Sequence, residues 1–221
     1  TVSQALIQEL ARRGISDVSI APMVSPKIMA PNFSILMVQQ DGFHYPKEVL
    51  SKFEDPNNAF LRRGAPFTFD AEAFISLVRK LKAAPVTTSG QPEQLIYAPS
   101  FDHAVQDPVD NDIAISSRNR VVIVEGNYTL LNQKPWNEIT KLCDEKQYRE
   151  ARHAYNKADK PQMVRDVPPE TVRDRLAARH LAAGIETSYE AAVQRAETND
   201  IPNGEMIRSL LIEPDVTIHN P

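Results

Sequence analysis

Two acidic residues stand just after strand-like apolar segments, and they are the residues of this chain whose type and position best suit catalysis. Asp41 comes shortly after the apolar run at 33–38, and Glu125 directly follows Val-Val-Ile-Val at 121–124. Because ligands bind at the carboxyl ends of the strands in an α/β sheet, we expect both carboxylates at one edge. One could accept the proton of a substrate hydroxyl, and the other could bind Mg²⁺, directly or through water. A magnesium-dependent phosphoryl transferase requires such a pair.

Each acid also has a purely structural interpretation. Asp41 precedes Gly42, and Asp-Gly is a common turn pair. Glu125 precedes Gly126, as expected of an acid that ends a strand before a turn. The two acids together favour the functional interpretation, since both follow buried-type strands and would open onto the same edge of the sheet.

Basic and aromatic residues elsewhere suggest substrate-binding positions. The adjacent Arg62 and Arg63 could clamp a phosphate or another anionic group through forked hydrogen bonds, although solvated surface charge explains them as well. Arg175 and Arg179 are four residues apart on one helix face and could reach a triphosphate from a lid. An exposed charged helix face is the alternative for this second pair. The residues considered for an acceptor pocket are His44, Tyr45, Phe101, Asp102 and His103.

Composition limits the classes of function. The chain has 221 residues, which predicts a single domain over residues 1–221. Its formal charge of −4 argues against nucleic acid or an anionic membrane surface as a partner. No apolar run approaches the roughly 20 residues that cross a bilayer, and no signal peptide is visible. The single cysteine, Cys143, excludes an internal disulfide and favours a reducing, cytoplasmic location. Zinc-site, serine-hydrolase and nicotinamide-binding motifs are absent from the sequence.

The predicted elements alternate between helices and strands, which favours an α/β fold with a mostly parallel sheet. Asp70 is expected to cap a helix whose apolar side chains share one face, namely Phe74, Leu77, Val78 and Leu81. Another helix is expected to begin near Pro135, with Trp136 and Ile139 facing inward. The stretch from 147 to 163 is polar and is expected to contain no strand. The other predicted elements are helices at 2–13, 168–184, 188–198 and 203–211 and strands at 33–38, 121–124 and 216–218.

Six motifs of the chain occur in the order found in one kinase superfamily. They are Asp-Gly-Phe-His-Tyr-Pro at 41–46, Arg-Arg-Gly-Ala-Pro-Phe-Thr-Phe-Asp at 62–70, Tyr-Ala-Pro-Ser-Phe-Asp-His at 97–103, Val-Glu-Gly-Asn-Tyr at 124–128, Arg-Leu-Ala-Ala-Arg-His at 175–180 with Gly-Ile at 184–185, and Asn-Asp-Ile-Pro-Asn-Gly at 199–204. The pattern resembles the uridine kinase, phosphoribulokinase and pantothenate kinase superfamily, and most of all the fungal ATP-dependent kinases of the yeast YFH-seven type. The resemblance covers most of residues 1–142 and 167–213.

The resemblance implies a P-loop NTPase-like three-layer sandwich. Its reaction would transfer the γ-phosphoryl group of ATP, with Mg²⁺, to a hydroxyl of a small molecule that is nucleoside-like or related. In that scheme Asp41 is the catalytic base and Glu125 is the acid on the metal side. The remaining implied positions are an acceptor pocket with Phe101, Asp102 and His103, nearby Arg62 and Arg63, and a lid at about 167–186 that carries Arg175 and Arg179.

Two departures from the superfamily pattern qualify this expectation. The chain contains no Gly-x-x-x-x-Gly-Lys-[Ser/Thr] loop, which the superfamily places after its first strand and directly before the helix predicted at 2–13. We therefore expect an N-terminally truncated kinase domain that is inefficient as given. Residues 145–166 are an atypical insertion or a gene-model error. The alternative is a catalytically dead, kinase-derived protein that binds small molecules. Uridine, pantothenate and sugar phosphates all remain open as acceptors, and so does the oligomeric state.

Overall fold

The computed structural model describes residues 34–88, 90–150 and 169–219. Within them the chain forms two compact units. The first unit comprises residues 34–46, 69–129 and 134–143, apart from residue 89. The second unit comprises residues 47–68, 130–133, 144–150 and 169–219. The helix predicted at 2–13 and the first residues of the predicted lid lie outside the described residues.

The described elements combine strands and helices. The strands are β1 (Ser34–Gln39), β2 (Leu95–Asp102), β3 (Asp107–Ser116), β4 (Asn119–Glu125), β5 (Gln147–Glu150) and β6 (Val216–His219). The α-helices are α1 (Lys47–Leu50), α2 (Pro56–Leu61), α3 (Ala71–Ala83), α4 (Pro169–Ala182), α5 (Tyr189–Arg195) and α6 (Ile201–Ser209). Short 3₁₀ segments cover Gln40–Phe43, Pro66–Thr68 and Trp136–Lys141, and a π-helical turn covers Ala196–Asp200. No helix within the described ranges is both long enough and apolar enough to cross a bilayer.

The first unit contains a parallel strand pair and an antiparallel hairpin. Strand β1 pairs in parallel with β4, and β2 pairs antiparallel with β3. The strands β1 and β4 form where the sequence places apolar, largely β-branched residues in a continuous run, as the sequence predicts. The β2–β3 hairpin was not predicted. Its second strand begins with Asp-Pro-Val-Asp-Asn-Asp, a polar stretch that has no strand-like alternation and is exposed from Val109 to Asp112.

The core of the first unit is aromatic. The ring of Trp136 lies 5.3 Å from that of Tyr128 and 6.0 Å from that of Phe69, between ring centroids. Phe74 on α3 packs on Phe43 with 4.8 Å between centroids. These five side chains are at most 6 % exposed. They anchor the segments around both predicted catalytic acids, because Phe43 is two residues after Asp41 and Tyr128 is three after Glu125.

Local capping signals fix the start of helix α3. The Asp70 carboxylate accepts a hydrogen bond from the backbone N–H of Ala73 at 2.9 Å, which satisfies one of the unpaired N–H groups of the first turn. The Asp70 N–H donates to the carbonyl of Phe43 at 2.8 Å. The cap therefore also ties α3 to the turn that follows β1, and the helix predicted from Asp70 is confirmed.

The second unit is mainly helical. Helices α4 and α5 form a hairpin whose turn contains Gly184 at φ +66°, a left-handed conformation that glycine adopts without strain. Ala177 of α4 and Ala192 of α5 are fully buried, so small side chains fill the interior of this unit. The helices predicted at 188–198 and 203–211 form one continuous helical run, in which the π-helical turn joins α5 to α6.

A polar strand at 147–150 corrects part of the prediction for residues 147–163, of which residues 151–163 lie outside the described residues. Residues Gln147–Glu150 form β5, which pairs in parallel with β6, the final strand that the sequence predicts. The Asp215 carboxylate accepts a hydrogen bond from the Lys146 N–H at 2.8 Å and pairs with the Lys146 ammonium at 3.1 Å. Strand β5 is defined by its backbone pairing with β6 and by the contacts between Lys146 and Asp215. A search for apolar patterns in the sequence could therefore not predict it.

Candidate active site

The two predicted catalytic acids lie at the same end of the parallel strand pair. In the register of β1 and β4, Gln39 is opposite Glu125, which is the last residue of β4. Asp41 lies two residues beyond Gln39, in the 3₁₀ turn that ends β1. Glu125 is half-buried and Asp41 is exposed. The structure thus brings both carboxylates to the carboxyl edge of one strand pair, the edge that binds ligands in α/β proteins.

The turn that carries Asp41 is pressed against strand β2. A Cβ atom on Gly42 would lie 2.8 Å from the carbonyl carbon of Pro99 and closer still to its oxygen. Only glycine permits this approach of two backbones. The turn therefore has its position fixed on two sides, by β2 through Gly42 and by α3 through the carbonyl of Phe43.

A buried amide joins the segments that carry the two acids, and sequence reasoning missed it. The side chain of Gln40 is 1 % exposed, and its Oε1 accepts a hydrogen bond from the Tyr128 N–H at 3.0 Å. A Cβ atom on Gly126 would overlap this same side chain. The sequence feature that could have identified Gln40 is a polar residue at the end of a buried strand, directly before Asp41.

Three of the residues predicted for the acceptor pocket form an aromatic row. The His44 ring lies 3.9 Å from that of Phe69 and 4.9 Å from that of Phe101, and Phe101 lies 5.2 Å from His103. His44 Nδ1 donates a hydrogen bond to the carbonyl oxygen of Asp41 at 2.9 Å, which fixes the ring beside the predicted base. This row of rings offers a surface on which a planar or apolar group could stack.

The two other predicted pocket residues have local roles. The Asp102 carboxylate accepts hydrogen bonds from the N–H groups of Ala104 and Val105, at 2.8 and 3.2 Å, and so shapes the turn between β2 and β3. Tyr45 is half-buried. Burial, and to a lesser extent the negative charge of Asp70, raise the pKa of the Tyr45 phenol above its usual value. The phenol is therefore a neutral hydrogen-bonding group at physiological pH.

The predicted arginine pair lies in the second unit, in a network with two asparagines. Arg62 Nε donates to Asn199 Oδ1 at 3.2 Å, and Arg62 Nη2 donates to Asn203 Oδ1 at 3.3 Å. The Arg63 carbonyl accepts from Asn199 Nδ2 at 3.2 Å and from Arg195 Nη2 at 3.1 Å. Asn199 and Asn203 are buried. Their four-residue spacing on one helix face was the signal that could have identified them.

The predicted lid arginines are exposed on helix α4. Arg175 and Arg179 lie one turn apart, consistent with either a lid or an ordinary charged face. The neighbouring His180 is buried, and its Nε2 lies 2.9 Å from the Asp200 carboxylate. This contact fixes α4 against the π-helical turn and leaves the arginines directed to solvent.

The donor chemistry at the carboxyl edge fits Mg²⁺. The described residues contain no group of three or more potential metal ligands. Mg²⁺ usually binds one or two carboxylates, keeps several waters and takes further oxygens from the phosphates of its nucleotide. The Glu125 carboxylate offers hard oxygens of this kind, and a closed protein cage is not required.

Comparison with known proteins identifies the family, although no protein-family model matches the chain. The chain is 38% identical over 184 residues to "Putative uridine kinase C227.14" of Schizosaccharomyces pombe, covering 83% of this chain and 68% of that protein. A "putative fructose transport system kinase" from Silicibacter sp. TM1040 superposes with a TM-score of 0.67 at 27% identity, over 98% of this chain and 81% of that one. YFH7 of Saccharomyces cerevisiae, described as "a putative P-loop containing kinase with a circular permutation", gives a TM-score of 0.65 at 30% identity, over 85% of this chain and 58% of that one.

These similarities confirm the α/β class and the P-loop kinase fold predicted from the six ordered motifs. The chain spans a little over half the length of YFH7. It belongs to the family of P-loop kinases that includes YFH7 and the uridine kinase-like protein of Schizosaccharomyces pombe.

Proposed function

We propose that this protein transfers the γ-phosphoryl group of ATP to a hydroxyl of a small molecule that is nucleoside-like or related. The observation that carries the proposal is the placement of Asp41 and Glu125 at the shared carboxyl edge of β1 and β4. The kinase names of the relatives support the same reaction class.

Asp41 is the proposed base. Its carboxylate accepts the proton of the acceptor hydroxyl while the hydroxyl oxygen forms a bond to the γ-phosphorus. The bond between the γ-phosphorus and the bridging oxygen breaks, and ADP leaves with that oxygen. The exposure of Asp41 suits a base that must reach an incoming substrate, and the fixed turn around Gly42 holds it in place.

Glu125 is the proposed acid on the metal side. A carboxylate at the end of a strand can bind Mg²⁺ directly or through one of its waters. When bound, the ion would neutralise the charge that develops on the phosphate oxygens. Glu125 would hold the ion at the strand edge, because the paired backbone of β4 fixes the position of this residue.

The aromatic row is the proposed binding surface for the acceptor. His44, Phe101 and His103 present ring faces or edges beside the turn that carries Asp41. Tyr45 and Asp102 are proposed to complete the pocket with a neutral phenol and a turn-bound carboxylate. A heterocyclic or sugar ring would gain stacking and desolvation energy on such a surface.

Two proposals concern the second unit. Arg62 and Arg63 are proposed to bind an anionic part of a substrate. The Arg62 guanidinium donates hydrogen bonds to the neutral side chains of Asn199 and Asn203, which do not cancel its positive charge. Arg175 and Arg179 are proposed to approach the triphosphate from a lid, since both are exposed on one face of α4.

The test is a screen for ADP formation by the full-length protein with Mg·ATP and a panel of nucleosides, pantothenate, hexoses and sugar phosphates. Wild type should phosphorylate at least one acceptor, and Asp41→Asn should lower kcat by about 10²–10⁴-fold. The matched control is Asp112→Asn, which removes an exposed carboxylate from β3 and should change kcat less than twofold. Near-wild-type kcat in Asp41→Asn would refute the role of Asp41. Acceptor binding without transfer by wild type would favour a catalytically inactive binding protein instead.

A further inference from the structure

The side chain of Gln40 lies at the junction between the two proposed catalytic segments. It directly precedes Asp41 in the chain, and its amide oxygen accepts the Tyr128 N–H three residues after Glu125. The side chain also occupies the space where Gly126 would carry a Cβ atom. A single buried residue thus contacts the segment after β1 and the segment after β4.

The burial of Gln40 argues against a role as a simple space filler. Its side chain is 1 % exposed, and within the described residues its Nε2 has no hydrogen-bond acceptor. An unsatisfied buried donor lowers stability, and an apolar residue of similar volume would avoid that cost. What such a residue would lose is the acceptor for the Tyr128 N–H, and with it a buried hydrogen bond that joins the two segments.

We propose that Gln40 is a positioning residue that sets the placement of the Asp41 carboxylate relative to that of Glu125. The inference rests on the proposed phosphoryl transfer. Gln40 is too deeply buried to touch a substrate, so it acts through the backbones on either side of it. Displacement of a catalytic group by about 1 Å can cost up to about 100-fold in rate, whereas binding of ATP through other residues would be little affected.

The first variant is Gln40→Met, which retains most of the volume and removes the acceptor for the Tyr128 N–H. We expect kcat to fall about 10- to 100-fold while KM for ATP stays within threefold of wild type. The matched control is Gln39→Met, the same change at the adjacent residue, whose side chain is exposed. It should leave both constants within twofold of wild type. A kcat in Gln40→Met within twofold of wild type would overturn the proposal.

A second pair of variants separates positioning from stability. Gly126→Ala places a methyl group against Gln40 and should lower both the unfolding midpoint and kcat. In the double variant Gln40→Gly/Gly126→Ala the whole side chain of residue 40, Cβ included, is removed, which makes room for the methyl group. The unfolding midpoint should therefore rise toward that of Gln40→Gly alone, while kcat stays low because the amide is absent.

The outcomes distinguish this inference from the proposed function. Recovery of kcat together with the unfolding midpoint in the double variant would show that Gln40 acts only through stability, and would overturn the inference alone. Absence of phosphoryl transfer by wild type to every acceptor tested would overturn the proposed function and, with it, this inference. The expected result is an active wild type, a slow Gln40→Met and a double variant that is stable again but still slow.

Discussion

The close approach of Gly42 to Pro99 gives a quantitative prediction for Gly42→Ala. The added Cβ atom would meet backbone atoms of Pro99, at 2.8 Å from the carbonyl carbon, and backbone cannot swing aside as a flexible side chain can. Forced overpacking of this kind typically costs about 1–3 kcal/mol. Replacing glycine by alanine recovers about 0.4–1 kcal/mol through the unfolded chain. The midpoints of these two ranges give a net loss of about 1.3 kcal/mol, and because the overlap is with backbone we expect about 1–2 kcal/mol.

The single tryptophan of the chain, Trp136, makes this loss of stability measurable in the unit that contains Gly42. Trp136 is 2 % exposed in the aromatic core of the first unit, which also contains Gly42. Its fluorescence therefore reports unfolding of this unit. A loss of 1–2 kcal/mol should lower the thermal midpoint by about 2–8 °C, at about 2–4 °C for each kcal/mol in a chain of this size. Activity should fall as well, because the shifted turn carries Asp41.

The matched control is Gly90→Ala in the same unit. Among the described residues other than Gly90 and its chain neighbours, none has an atom within 4 Å of the Cβ position on Gly90, so the added methyl group meets open space. Its midpoint should be unchanged or slightly raised. If Gly42→Ala and Gly90→Ala had the same midpoint and the same kcat, the argument that β2 fixes the catalytic turn would be refuted.

Three further predictions concern other contacts. Asn199→Ala removes the hydrogen bonds from Asn199 to the Arg62 side chain and to the Arg63 carbonyl, and should lower the free energy of unfolding by about 2–3 kcal/mol. Urea unfolding followed by circular dichroism measures this loss, and an unchanged free energy would exclude a structural role for the network. Burial and, to a lesser extent, the carboxylate of Asp70 raise the pKa of the Tyr45 phenol, so folding favours the neutral phenol. This contribution to stability is complete below about pH 10, the pKa of the phenol in the unfolded chain, and is lost as the pH rises through the raised pKa. Tyr45→Phe should flatten this alkaline decline in a series of melts, and an identical decline in both proteins would contradict the assignment. Ser188→Ala removes the N-cap of α5 and should cost about 1 kcal/mol by the same circular dichroism assay, whereas unchanged stability would show that the cap is dispensable.

Elements defined by local patterns could be predicted from the sequence. The continuous apolar runs predicted β1 and β4, and the capping aspartate Asp70 predicted α3. The inward positions of Trp136 and Ile139 were also predicted correctly, since both are buried. In each case the residues that determine the element lie within it or directly beside it.

Elements defined by distant partners could not be predicted. Strand β5 is polar, and it forms because its backbone pairs with β6 about 70 residues later in the chain. The β2–β3 hairpin contains prolines and exposed aspartates, and its two strands are defined by their mutual pairing. Propensity and periodicity carry no information on such pairings.

The candidate site shows the same division. The positions of Asp41 and Glu125 at strand ends follow from local patterns, and the parallel register then places both at one edge. The contact of Gln40 with Tyr128 joins residues 88 positions apart, and the contact of Arg62 with Asn199 joins residues 137 apart. Neither can be read from a spacing rule, because both depend on tertiary packing.

The most direct test of the account measures the Mg²⁺ dependence of phosphoryl transfer in wild type, Asp41→Asn and Glu125→Gln, with the acceptor that the screen identifies. The two substitutions should produce different defects. Asp41→Asn should lower kcat by about 10²–10⁴-fold with an unchanged half-saturating Mg²⁺ concentration, whereas Glu125→Gln should raise that concentration. An unchanged Mg²⁺ titration in Glu125→Gln, or full activity in Asp41→Asn, would contradict the assignment of a base and a metal-side acid at this strand edge.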